Sequence, residues 1–216
     1  MNLPNALSLG RILVAPLIAL LPFAPRWELR ALGFVCFVLA GVTDYFDGAL
    51  ARGRNQITDL GKQLDPLADK LLLLATLIPI YLLMAPRALR LPLDFITPWG
   101  RFGLPLWVLI AVLGRELVMT IFRQAAARRG VVIAAIGPAK LKTVMQSIWV
   151  GSAYFWFAAS AAADSYGFGG TELWHWFALF NGIVGVLAMY VAVALTLYSL
   201  ALYVRRYGHV LAPGPA

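Results

Sequence analysis

A chain of 216 residues that is 61% hydrophobic and only 13% charged is far more apolar than a soluble domain, which is roughly half apolar and a quarter charged. One core of this size cannot hide that much apolar surface, so the composition excludes an ordinary soluble fold and predicts a single membrane domain over 1–216. The net charge of +8 is carried by Lys and Arg scattered between apolar runs; without a continuous basic stripe it excludes nucleic acid and favours anionic membrane lipids and phosphorylated substrates as partners.

In chain order, apolar stretches fall at 5–23, 30–52, 66–84, 102–123, 142–163 and 175–204, each close to the ~20 residues a spanning helix needs. They predict an all-α, polytopic protein with six transmembrane helices. The first stretch holds Arg11, has no basic region before it and reaches no small-residue cleavage site, so it reads as a retained helix. Cys36, the single cysteine, lies inside the second stretch, which leaves a packing role and excludes a disulfide framework or zinc cluster. Pro, Gly and charged residues mark the breaks, including 53–61, 86–100 and 128–138.

Thirteen of the eighteen Lys and Arg fall on one side of such a bundle, leaving Arg26, Arg30, Arg87, Arg90 and Arg101 on the other. The positive-inside rule then places both termini in the cytoplasm. Trp27, Trp99, Trp174 and Trp176 lie near the opposite boundary, where an aromatic belt is expected. His175 and His209 are too different in setting to suggest a metal pair.

The segment from Asp44 to Lys70, DYFDGALARGRNQITDLGKQLDPLADK, holds five of the ten acidic residues. Helical spacing puts Asp44 and Asp47 on one face, and Asp65 and Asp69 on a face of the next helix, so two facing carboxylate pairs predict one site. The apolar run from Ala31 to Asp44 covers only ~20 Å at ~1.5 Å per residue, against ~30 Å of hydrocarbon. Both pairs are therefore expected just below the cytoplasmic interface, in a polar cavity facing the cytoplasm, where charge survives in water or around an ion. Hard oxygen donors without His or Cys favour Mg²⁺, with Mn²⁺ in its place. Gly48 and Ala51 clear space for a phosphate to approach, and Arg52 offers a phosphate-binding fork. The bland alternative, aspartates paired with Arg52, Arg54, Lys62 and Lys70 in a solvated loop, accounts for Asp59 but not for the small residues after Asp47.

Asp44, Asp47, Gly48, Ala51, Arg52, Gly61, Asp65 and Asp69 reproduce DxxDGxxARx(8)GxxxDxxxD without departure, and in this the chain resembles the CDP-alcohol phosphatidyltransferases. LPNALSLGRILVAP at the start, GREL, Arg123 and GPAKLKT extend the resemblance over most of the chain, most closely to the bacterial phosphatidylglycerophosphate synthases. The resemblance implies a six-helix bundle in the bacterial inner membrane, a homodimer, moving a phosphatidyl group from CDP-diacylglycerol to an alcohol with release of CMP. It implies two metal ions held by Asp44, Asp47 and Asp65, with Asp69 as general base and further ligand. By the same resemblance Gly48, Ala51, Arg52, Thr58, Asn5 and Ser8 meet the CDP-lipid.

Arg115, Arg123, Lys140 and Lys142 fit two readings on chemistry alone: charges that anchor helix ends to headgroups, or a site for a phosphate-bearing acceptor. The resemblance favours the acceptor, glycerol 3-phosphate, with inositol phosphate, serine or phosphatidylglycerol as alternatives. Glu116 is expected to pair with Arg115 or a neighbouring cation, without a catalytic role. A small cation transporter would also use carboxylates at membrane depth, but would need them on several helices; beyond the third stretch only Glu116, Asp164 and Glu172 are acidic.

Overall fold

Helix follows helix along the chain, as the apolar stretches require: α1 (Leu3–Leu20), a 3-10 turn (Leu21–Phe23), α2 (Trp27–Gly53), α3 (Asp59–Met84), α4 (Leu106–Arg128), α5 (Gly137–Tyr166) and α6 (Glu172–Tyr207). The computed structural model describes residues 3–53, 59–85, 93–131, 133 and 137–208; the side chains at 3–4, 45–53, 59–60, 62–63 and 138–139 fall outside that description. Among the described residues α1, α3 and α6 are long and apolar enough to cross a membrane. Large apolar side chains stand exposed on α2 and α4 as well, among them Leu39, Ile110, Leu117 and Ile121, as a lipid-facing exterior requires. The all-α membrane class expected from composition is the class observed.

The helix ends are set by local chemistry. The Thr171 side chain caps α6 by accepting from the Trp174 backbone N–H at 3.2 Å, with Glu172 in the first turn and Arg205 and Arg206 in the last, the charge order that complements the helix dipole. α3 starts at Asp59, about two turns before the apolar stretch, so Asp65 and Asp69 share one helix as predicted. α5 likewise starts at Gly137 and takes in both Lys140 and Lys142.

Packing joins α1 to α2 and α3, and α5 to α2 and α6, while α4 lies chiefly on α6. Trp149, Tyr154, Phe157, Ile18, Leu77, Ile80 and Val108 form the fully buried centre. Two prolines explain why Tyr154 sits there. Pro22 and Pro79 have no N–H, so the carbonyls of Ile18 and Ala75, four residues earlier, lose their helical donors. The Tyr154 hydroxyl lies 3.0 Å from each of these oxygens and fastens α5 to α1 and α3.

A short antiparallel hairpin was not anticipated in the connection after α3: β1 (Phe95–Thr97) pairs with β2 (Gly100–Phe102), Phe95 facing Phe102. Strands of three residues are too brief to show alternation. The turn is closed by Gly100 at φ +123°, a conformation that glycine adopts at little cost. The hairpin docks on α6 because α6 is bare there: a Cβ on Gly182 would stand 1.9 Å from the Ile96 carbonyl oxygen, and one on Gly185 2.4 Å from the Phe95 ring.

Candidate active site

α1, α2 and α3 meet around one guanidinium. Arg11 of α1 is 3% exposed, and its Nη1 donates to Asp44 of α2 and, at 3.0 Å, to Asp69 Oδ1 of α3. Nη2 lies 3.8 Å from Asp65 Oδ1, and Ser8, one turn before Arg11, donates its hydroxyl to the same carboxylate. The three aspartate side chains keep 50–61% of their surface open while the Arg11 side chain keeps 2%. The cation is thus enclosed and the anions face outward.

The expected convergence of Asp44 with Asp65 and Asp69 is therefore present, but the cation that gathers them was missed. In the sequence Arg11 stands out only as one of the inside charges, and the nearest cations to the aspartates are those of the loop. The available signal was a charge deep in an apolar run, which is costly unless it is paired. Asp47, Gly48, Ala51 and Arg52 lie on the last turns of α2, with side chains outside the described residues, and Thr58 falls outside them altogether. Asn5 and Ser8 are both buried, and Ser8 lies within the carboxylate cluster.

A second charged group lies on α4, α5 and α6. Arg115 Nη1 and Lys142 Nζ donate to Glu116 Oε1 at 2.8 and 2.5 Å, and Arg115 Nη2 donates to Ser199 Oγ at 3.2 Å. Arg115 and Lys142 are buried, whereas Arg123 and Lys140 are exposed. Of the four basic residues expected at an acceptor, the structure brings two together through Glu116, which pairs with Arg115 as the sequence suggested and with Lys142 besides.

One cavity of about 970 Å³ connects the two groups. Asp44 and Asp69 line it on one side, Glu116 and Lys142 on another, and Phe34, Val38, Leu72, Ile148 and Phe155 supply apolar wall. Anionic and cationic groups on the wall of one apolar hollow suit an amphiphile with a charged head, the cationic ones a phosphate directly and the carboxylates through a cation. Among the described residues no three metal-type side chains are close enough to hold an ion by themselves. The donor set is nevertheless chemically apt for a hard divalent cation: oxygen donors from two helices already converge on one positive charge.

The chain matches the family model described as CDP-alcohol phosphatidyltransferase over residues 1–198. It is 37% identical over 145 residues to the CDP-diacylglycerol--glycerol-3-phosphate 3-phosphatidyltransferase of Rickettsia typhi, covering 67% of this chain and 71% of the relative. The Bacillus subtilis protein of the same name is 35% identical over 162 residues, 69% of this chain and 74% of that one. A cardiolipin synthase (CMP-forming) of Streptomyces coelicolor is 29% identical over 187 residues, 82% of this chain and 79% of the relative.

Proposed function

The chain belongs to the CDP-alcohol phosphatidyltransferase family, and on that premise we propose that it transfers the phosphatidyl group of CDP-diacylglycerol to glycerol 3-phosphate, giving phosphatidylglycerophosphate and CMP. The observation that carries this reading is the single cavity with the aspartates at one part of its wall and the Lys142–Glu116–Arg115 group at another. The relatives named for glycerol 3-phosphate at 35–37% identity support the choice of acceptor.

In this mechanism the acyl chains lie along Phe34, Val38, Leu72 and Phe155, and the pyrophosphate lies toward Asp44 and Asp69. Gly48 and Ala51 give it room and Arg52 binds it, with Thr58, Asn5 and Ser8 completing that end. Lys142 and Arg115, with Arg123 and Lys140, hold the acceptor's phosphate, so that its free hydroxyl is oriented toward the phosphatidyl phosphorus. The hydroxyl oxygen forms the new P–O bond as the bond to CMP breaks. Asp69 takes the hydroxyl proton, and CMP leaves with the bonding electrons. Asp44, Asp47 and Asp65, with Asp69, hold two ions of Mg²⁺ or Mn²⁺, which when bound neutralise the pyrophosphate and stabilise the leaving group.

We place the protein in the bacterial inner membrane as a homodimer of six-span subunits, both termini and the cavity facing the cytoplasm, where glycerol 3-phosphate and CMP are soluble. The test is product formation by the purified protein from CDP-diacylglycerol and labelled glycerol 3-phosphate. A metal-dependent phosphatidylglycerophosphate product is expected, abolished by EDTA and restored by Mg²⁺ or Mn²⁺. Undiminished turnover in EDTA would overturn the metal assignment, and a product lacking the terminal phosphate would overturn the acceptor.

A further inference from the structure

Arg11, on α1 and 3% exposed, reaches at once Asp44, Asp65 and Asp69, which come from two other helices. Bringing three carboxylates together at the end of an apolar bundle is unfavourable, because each repels the others and desolvation opposes charge. A buried cation with two or more donors facing them removes most of that cost, and the planar fork of arginine, unlike a lysine ammonium, presents separate N–H groups to separate carboxylates. Ser8, on the same face of α1, fixes Asp65 from the side.

We propose that Arg11 is a positioning residue: a tethered internal cation that assembles the aspartate site before metal arrives and against which the metal must compete. The proposal rests on the reading of these aspartates as the metal site, but its first part concerns the metal-free protein alone. Arg11 sits behind the carboxylates rather than in the open cavity, so its role is to hold them in place rather than to touch substrate. The design has a consequence for stability. In the metal-free state Arg11 supplies the neutralising charge, so a divalent ion adds little further stabilisation to the wild type; without Arg11, the same ion would supply most of it.

The experiment is thermal unfolding of the full-length protein in detergent, in EDTA and in MgCl₂, for wild type, Arg11→Gln, Arg11→Lys, Asp44→Asn and the double variant Arg11→Gln/Asp44→Asn, with Mn²⁺ binding followed by electron paramagnetic resonance. In EDTA, Arg11→Gln should unfold about 5 °C or more below wild type, as expected for carboxylates left without their buried counter-charge, and Arg11→Lys should fall between the two. Adding Asp44→Asn to Arg11→Gln should recover part of the loss, since it removes one of the repelling charges. The shift on adding Mg²⁺ should be larger in Arg11→Gln than in wild type. Equal midpoints for wild type and Arg11→Gln in EDTA, or no recovery in the double variant, would overturn the proposal; so would failure of both Arg11→Gln and the double variant to fold, because a packing role alone predicts no rescue. If no variant, wild type included, binds Mn²⁺ or responds to Mg²⁺, the metal reading and with it the competition fail, while the EDTA series still decides whether Arg11 assembles the aspartates.

Discussion

At the scale of single residues, the aspartates and the basic group are expected to fail in different ways. Asp69→Asn removes the proton acceptor while keeping size and most of the oxygen donors, so kcat should fall by roughly 10²–10⁴ while affinity for CDP-diacylglycerol, measured by equilibrium binding, stays close to wild type. Near-normal kcat would assign the proton to another group. Lys142→Gln should instead raise the KM for glycerol 3-phosphate by roughly tenfold, the loss of one charge-assisted hydrogen bond, with little change in the KM for CDP-diacylglycerol. Arg123→Gln should have the smaller effect of the two, because Arg123 is exposed where Lys142 is buried against the cavity. The convergence of Asp44 with Asp65 and Asp69 was legible because the aspartate spacing is local and repeats with the helix. The role of Arg11 was not, because its partners lie 33 and 58 positions away, and no local pattern records which carboxylate a buried guanidinium will find.

At the scale of elements, the bundle is fastened where prolines break helical bonding. Tyr154→Phe leaves the carbonyls of Ile18 and Ala75 without the hydroxyl that now reaches both. It should destabilise the protein by about 1–2 kcal/mol, read as a midpoint lowered by roughly 2–8 °C, with kcat at low temperature nearly unchanged, since Tyr154 is packed in the core and touches neither charged group. An unaltered midpoint would show that water or a relaxed helix satisfies those carbonyls. The helices themselves were legible from apolar runs of spanning length: among the described residues an α-helix falls on each of the six runs, and three of these helices are long and apolar enough to cross a membrane. Their ends were less so: α3 begins at Asp59 and α5 at Gly137, inside segments whose polarity read as loop, because a helix that leaves an apolar layer can continue with polar residues. The hairpin at 95–102 escaped for a different reason, since its stability comes from docking Phe95 and Ile96 on the glycines of α6, a tertiary contact that three-residue strands do not announce.

At the scale of the whole molecule, the asymmetry of Lys and Arg predicts a fixed orientation, and Cys36 as the only cysteine makes it measurable. In a Cys36→Ser background, Gly169→Cys between α5 and α6 should react with a membrane-impermeant thiol reagent in intact spheroplasts, whereas Arg206→Cys at the end of α6 should react only after permeabilisation; the reverse pattern would invert the topology. That orientation would put the aspartates and the Lys142 group on the side where a phosphorylated, water-soluble acceptor is available, as one reaction joining them requires. The identity of that acceptor decides which member of the family's reactions this protein performs. The most direct measurement is CMP release by the purified protein from CDP-diacylglycerol, with glycerol 3-phosphate, inositol phosphate, serine and phosphatidylglycerol offered separately at equal concentration. Glycerol 3-phosphate is expected to support the fastest release; faster release with any of the other three would assign the site to a different acceptor.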